Sequence, residues 1–225
     1  ISAFNFPVAV WSWNAFIAAI CGNSTIWKPS PSTPLCAVAV QNICNEVLSA
    51  NNMPNIFSTV IGPGSVIGEE MINDKNISLV SFTGSTKVGR HVNEIVSRRF
   101  GKVILELGGN NCIIVDETAD MNLVIPAIVF GAVGTAGQRC TSTRRVIVHQ
   151  SKYDELKTKL IAAYKQVNIG DPLKKGTLMG PLVDSNAIDN FNKAISKAKD
   201  LGGEVIYGGD KLNFEGNFIN PTIIK

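Results

Sequence analysis

The sequence predicts an α/β protein: a doubly wound parallel sheet, followed by a second α/β region. Three observations predict it. From residue 1 to Gly108, short β-type runs alternate with helix-type runs. The turns between them are short and rich in Gly, Ser and Thr, as consecutive parallel strands with crossover helices require. After Asn110-Asn111 the alternation gives way to one long apolar helix and two amphipathic helices. The chain has 225 residues, enough for one large domain or two small ones. The best cut falls at Gly108, dividing it into 1–108 and 109–225.

Taken in order, Ile1 to Phe4 is a short apolar run broken by Asn5-Phe6-Pro7. Val8 to Cys21 reads as a helix closed by Gly22-Asn23. Thr25 to Lys28 is a strand ending in Pro29-Ser30-Pro31-Ser32. Thr33-Pro34 places an N-cap before a proline at the first helical position, and a mostly apolar helix follows. Phe57 to Ile61 is a strand that turns through Gly62-Pro63-Gly64 into a short helix. Ile77 to Phe82 is a strand, and Thr83-Gly84-Ser85-Thr86 leads into the next helix. Lys102 to Leu107 is a strand ended by Gly108-Gly109. In the second region, Cys112 to Val115 and Val146 to His149 read as strands around a buried helix, Asn122 to Gly137. Ser151 is the expected cap of an amphipathic helix through Tyr153, Leu156, Leu160 and Tyr164. Another amphipathic helix runs through Ile188, Phe191 and Ile195. Val205 to Tyr207 and Phe218 to Ile224 read as strands.

Composition limits the function classes. The chain is 45% hydrophobic and 17% charged, with a net charge of +3. That is too little charge for a nucleic-acid surface, and the pairs Arg98-Arg99 and Arg144-Arg145 read as solvated surface charge. Residues 1 to 27 carry no charge, but Asn5, Pro7, Asn14, Gly22 and Asn23 interrupt the run. Buried strand and helix are expected there, not a membrane span. The five cysteines lack C-x-x-C spacing, and the only histidines are His91 and His149. No metal site is expected, and the thiols suit a reducing, cytosol-like compartment.

Several residues can carry chemistry. Cys140 lies in Gly137-Gln138-Arg139-Cys140-Thr141, where a tightly packed segment gives way to polar chain. A thiol there is reachable, and the neighbouring Arg139 favours the nucleophilic thiolate. Most cysteines are simply small buried residues, and the motif by itself does not decide. Glu106 sits in an apolar strand beside two glycines. Burial would raise its pKa towards that of a general base; the strand alternation equally allows it to face water. Asn5 can offer an amide N–H to a carbonyl oxygen. Lys28 closes a strand at the sheet's carboxyl edge, where ligands bind in such folds, and can reach ribose hydroxyls. Gly62 to Gly68 follows a strand and opens a helix, but is one residue too long for the dinucleotide fingerprint. Gly84 to Gly89 lacks the closing Gly-Lys-Ser/Thr of a P-loop. Both loops still place backbone N–H groups at helix N-termini, where pyrophosphate binds.

Together these pieces resemble the NAD(P)-dependent aldehyde dehydrogenase superfamily. The resemblance rests on Asn5-Phe6-Pro7, Trp27-Lys28-Pro29-Ser30, Phe82 to Thr86, Leu105 to Gly109 and Gly137 to Cys140, in the family's order and almost end to end. Ala3 to Pro7, Gly108-Gly109-Asn110-Asn111 and Gly137 to Thr141 are most similar to the antiquitin branch, the α-aminoadipic semialdehyde dehydrogenases. The resemblance implies a Rossmann-like NAD(P)-binding domain over 1–108 and a partial catalytic domain over 109–225. It implies Cys140 as nucleophile, Glu106 as the base that activates water, and Asn5 as oxyanion donor. It implies cofactor contacts from Lys28, Ser30, Pro31, Gly62, Gly64, Phe82, Thr83, Gly84, Ser85, Val88, Leu107 and Gly108. Arg139, Thr141 and Phe6 would meet a small aldehyde, with Arg139 on the far carboxylate of an acidic semialdehyde. NAD is the implied cofactor and NADP the alternative, because Pro31 replaces the glutamate that many NAD-preferring relatives carry. A homo-oligomer, tetramer or dimer, is implied for the full-length protein. The family's later segment, whose glutamate holds the nicotinamide ribose, does not occur. The chain is expected to be a piece of a longer, cytoplasmic enzyme, with any mitochondrial address lying before Ile1.

Three other readings compete. A CoA-acylating semialdehyde dehydrogenase is disfavoured by Glu106, which acylating relatives commonly lack. A non-catalytic nucleotide-binding member of the fold is disfavoured by Cys140, Glu106 and Asn5 together. A cysteine hydrolase would want a histidine base in a recognisable motif.

Overall fold

The computed structural model describes residues 1–225. The chain divides into two compact units, Ile1–Gly108 and Gly109–Lys225.

In the first unit the helices are α1 (Ala9–Ile20), α2 (Pro34–Ala50), α3 (Glu69–Asn73) and α4 (Thr86–Arg98). The strands are β1 (Thr25–Trp27), β2 (Phe57–Thr59), β3 (Leu79–Thr83) and β4 (Lys102–Glu106). β1 pairs in parallel with β2, and β3 with β4. Ile1 and Ser2 lie between the two pairs. Ser2 N donates to Lys28 O at 3.0 Å, and Thr83 N donates to Ile1 O at 3.0 Å. The strand order is therefore β2, β1, the Ile1-Ser2 segment, β3, β4. That is the doubly wound order, in which successive strands are added outward from a central segment on both sides.

The alternation of side chains puts a helix layer on each face. Val80 and Phe82 of β3 pack with Ile72 of α3 and with Val92 and Val96 of α4. Ser81, between them, turns the other way and its Oγ meets Asn14 Oδ1 of α1 at 3.1 Å. On that side Trp11 and Ala15 of α1 pack with Ala37 and Leu48 of α2 against Trp27 and Phe57. Trp11 stacks on Trp27 with centroids 4.6 Å apart. Ser2 Oγ accepts the buried Trp27 indole N–H at 2.8 Å, so the large aromatic brings no orphan donor into the core. The extra residue between Gly62 and Gly68 is absorbed as a π-helical turn, Gly64–Gly68, directly before α3.

The second unit pairs β5 (Asn111–Val115) in parallel with β6 (Thr143–Val148). α5 (Met121–Val133), α6 (Tyr153–Tyr164) and α7 (Ser185–Asp200) surround one core, with Ile128, Leu156, Leu160 and Ile188 buried in it. β7 (Val205–Tyr207) pairs with β8 (Ile223–Ile224) antiparallel.

Three elements differ from the sequence expectation. The apolar helix stops at Val133 rather than Gly137, because Thr135 and Ala136 take left-handed backbone angles, φ 55° and 53°. Ser151 does not cap α6; a single 3-10 turn, Gln150–Lys152, precedes the helix, and its cap is His149, whose ring nitrogen accepts from Ser151 N. The strand expected over 218–224 reduces to β8 and an isolated bridge between Lys211 and Ile219.

Candidate active site

In the first unit, the sheet's carboxyl edge opens on a cavity of about 370 Å³. Its wall includes Lys28 after β1, Gly64 and Ser65 on the π turn, Phe82 at the end of β3, and Lys87 and Val88 on α4. Lys28 is 3% exposed. Its Nζ donates to Pro29 O at 3.0 Å, which leaves two further N–H donors on a buried ammonium. Desolvation lowers its pKa from the ordinary lysine value. A solvated surface lysine is therefore ruled out: the charge is held inside at a cost that a polar ligand would repay.

Four of the cofactor candidates, Lys28, Gly64, Phe82 and Val88, share this wall; Ser30, Pro31, Gly62, Thr83, Gly84, Ser85, Leu107 and Gly108 do not line it. Ser85 Oγ instead accepts from Val88 N at 3.3 Å and caps α4. The first turn of α4 beside it presents unpaired N–H groups and the positive end of the helix dipole. Gly84 N donates to Glu106 O at 3.1 Å, holding that loop to the end of β4. A side-chain carbon at Gly89 would fall 2.4 Å from Leu107 Cδ2, so the Leu107 side chain lies directly against the α4 backbone at the end of β4. Ser30 Oγ accepts from Ser32 N, and Pro31 is exposed in the same loop. Glu69 and His91, also on the cavity wall, were not singled out from sequence. They pair at 2.8 Å between α3 and α4. Helical spacing from Val88 to His91 and Val92 is the signal that could have found His91.

A cavity of this size, with an apolar wall, a buried cation and a helix N-terminus beside it, fits one end of a dinucleotide. Glu106 ends β4 and is exposed. The carboxylate therefore stands open to solvent at the carboxyl end of its strand. Asn5 and Phe6 sit half-buried in the bend leading into α1.

The second unit holds the cysteine. Cys140 is exposed at a turn closed by Ser142 N donating to Arg139 O at 3.2 Å. Ser142, 2% exposed, returns a bond: its Oγ accepts from Arg139 N at 3.1 Å. The turn uses the Ser142 N–H and leaves those of Cys140 and Thr141 outside its own bonding. Thr141 is exposed. The Arg139 side chain is restrained on two sides. Nε donates to Thr135 Oγ1 at 2.8 Å, and the guanidinium lies 5.1 Å from the Phe130 ring centroid. The terminal nitrogens of the fork are not spent on either contact. Gln138 ties the turn to its surroundings, accepting from Val183 N at 3.0 Å and donating to Thr135 O at 3.1 Å. Arg144 and Arg145 are more than surface charge. Arg144 Nε reaches Gly109 O at 3.2 Å, and Arg145 Nη2 reaches Asn110 O at 2.7 Å.

Comparison with known proteins agrees with these features. The profile of the aldehyde dehydrogenase family matches residues 1–225. The chain is 51% identical over 225 residues to aldehyde dehydrogenase family 7 member A1 of Brassica napus, covering 100% of this chain and 46% of that protein. It is 48% identical over 224 residues to alpha-aminoadipic semialdehyde dehydrogenase of Bos taurus, covering 100% of this chain and 42% of that protein. Among solved structures it resembles betaine aldehyde dehydrogenase from Staphylococcus aureus in complex with NAD+. There the TM-score is 0.92 at 30% identity, over 99% of this chain and 44% of the other. The chain thus spans less than half the length of the curated relatives it matches. With a doubly wound first unit, an accessible cysteine on a bonded turn and a match over its whole length, the chain belongs to the aldehyde dehydrogenase family.

Proposed function

We propose that the full-length protein oxidises an aldehyde to the carboxylic acid through a covalent thioester on Cys140, with a nicotinamide dinucleotide as cofactor. The observation that carries this reading is the turn at Cys140: the thiol is exposed while the backbone beneath it is hydrogen-bonded on both sides. An accessible nucleophile on a rigid support is what acyl chemistry requires. In this reading unit 1–108 holds the cofactor and unit 109–225 carries the nucleophile.

The Cys140 thiolate adds to the aldehyde carbon. The oxygen becomes anionic and is stabilised by the Asn5 amide and the Cys140 backbone N–H. NAD, when bound, supplies the hydride acceptor, and NADP is the alternative. Loss of the hydride leaves the acyl group on Cys140 as a thioester. Glu106, exposed at the end of β4, takes a proton from water, which attacks the acyl carbon and releases the acid and the free thiol. Lys28 would hold ribose hydroxyls, and the N-terminus of α4 a pyrophosphate. Arg139, held by Thr135 and Phe130, would take the distal carboxylate of a semialdehyde such as α-aminoadipic semialdehyde. A homo-oligomer in the reducing cytosol belongs to the same reading.

The test is NADH formation by the full-length protein with α-aminoadipic semialdehyde, beside a Cys140→Ala variant. Turnover by the parent and none by the variant is expected. If only short neutral aldehydes are oxidised, the acidic-substrate assignment falls and the oxidation stands. If no aldehyde is turned over, the catalytic reading falls.

A further inference from the structure

We infer that Asn111 is a positioning residue for the nucleophile, holding the Cys140 turn from a neighbouring strand. The inference rests on the reading of Cys140 as nucleophile.

Asn111 opens β5, 29 residues before Cys140. Its side-chain Nδ2 donates to Cys140 O at 2.7 Å and to Ser142 O at 3.2 Å. One amide group thus spends its two protons on the carbonyls that flank Thr141. The turn's own bonds, Ser142 N to Arg139 O and Arg139 N to Ser142 Oγ, close the loop locally. They do not fix it against the body of the unit. Asn111 does so from a strand, and Gln138, which accepts from Val183 N, adds a second tie.

The strand is built to aim it. The β5–β6 register runs Asn111 with Thr143 and then Cys112 with Arg145, so the ladder skips Arg144. A bulge of this kind turns local side chains out of the sheet's regular alternation. The skipped Arg144 folds back to Gly109 O, and Arg145 binds Asn110 O. Residues 109–111 and 140–145 are thereby laced together by side-chain donors on both strands. Gly109 closes the arrangement. A side-chain carbon there would fall 2.9 Å from Asn111 Oδ1 and 3.0 Å from Cys140 O, so only glycine lets Asn111 reach the turn undisturbed.

The consequence for chemistry is orientation. The Cys140 carbonyl and the Cys140 side chain share one α-carbon. Fixing that peptide plane narrows the arc over which Sγ and the Cys140 N–H can move. An ångström of misplacement at a nucleophile costs about 100-fold in rate.

The test uses the full-length enzyme with Asn111→Leu, which keeps the volume, removes both donors and adds no charge, and with Asn111→Ser, which keeps one hydroxyl donor. Steady-state kinetics are read beside the pH profile of Cys140 alkylation by iodoacetamide, followed by mass spectrometry of the Cys140 peptide. The expected result for Asn111→Leu is a kcat loss of roughly 10- to 100-fold with KM within about threefold, and a displaced alkylation profile. Asn111→Ser should recover part of the kcat. Unchanged kcat and an unchanged alkylation profile in a folded Asn111→Leu enzyme would overturn the inference. So would losses in both variants that follow thermal stability alone, with the alkylation profile intact. Activity surviving Cys140→Ser would remove the nucleophile reading itself, and the inference with it.

Discussion

At the scale of single residues, chemistry is set by what each side chain is tied to. Arg139 carries a long, mobile side chain, yet a hydroxyl and an aromatic face hold it before any ligand arrives. Pre-ordering of this kind saves the entropy that binding would otherwise cost. Thr135→Val removes the acceptor and keeps the β-branched shape. It should raise KM for an acidic aldehyde about 10-fold, as loss of a hydrogen bond to a charged group would. KM for a neutral aldehyde should stay unchanged, and equal shifts for both would refute the role. Lys28 illustrates the opposite economy. Its folded pKa lies below its unfolded one, so the unfolded chain binds the proton more readily. Burial of the charge therefore opposes folding at neutral pH, and the opposition fades as pH rises towards the usual lysine value. Lys28→Met should raise the melting temperature by about 2–4 °C and weaken NAD binding at least about 10-fold; calorimetry reads both. The places of Cys140 and Lys28 were legible in the sequence, because each stands at a break between an apolar run and a turn, and their roles come from the resemblance. Asn111, Thr135 and Phe130 were not. Their importance comes from contacts across the fold or from a backbone angle, and spacing encodes neither.

Among the elements, periodic ones were readable and irregular ones were not. α4 alternates faces cleanly, with Val92 and Val96 inward and Arg90 and Glu94 outward, so its place was fixed by pattern. The end of α5 was misread because Gly134 to Gly137 is as small and apolar as the helix before it. Composition does not show that Thr135 and Ala136 turn left-handed. β8 was overextended, since an apolar run near a core resembles a strand whether or not a partner strand lies beside it. α6 offers a test of its own. Tyr164, 4% exposed and edge-on to Tyr207 at 5.8 Å, has its pKa pushed up to about 12 by burial. Its folded pKa exceeds the unfolded one near 10, so its contribution is whole below pH 10 and is lost as pH climbs towards 12. That rise corresponds to about 3 kcal/mol. Tyr164→Phe should therefore unfold less steeply between pH 10 and 12, followed by circular dichroism, and identical alkaline curves would contradict this.

For the molecule as a whole, the doubly wound α/β class followed from alternation, because each crossover helix must return the chain to a neighbouring parallel strand. What alternation could not show is how much apolar surface the two units leave bare. Trp13 is 61% exposed, Ile20 88% and Leu35 80% on α1 and α2, and Leu123 and Phe130 on α5 are 72% and 70%. Residues 1–225 expressed alone should therefore self-associate at micromolar concentration, seen as a rising weight-average mass in sedimentation. A single monomeric species across that range would contradict this.

The Ile1-Ser2 segment has a mechanical consequence. It supplies the hydrogen-bonded link between the β2–β1 pair and the β3–β4 pair, through one bond to Lys28 O and bonds from Ile1 N to Ser81 O and from Thr83 N to Ile1 O. Each strand pair keeps its own ladder if that link parts, and the bond from Ser81 Oγ to Asn14 Oδ1 still ties β3 to α1. Under tension the seam, not either half, is the line of fracture, and a pulled molecule should yield there first, releasing two half-sheets in separate force steps.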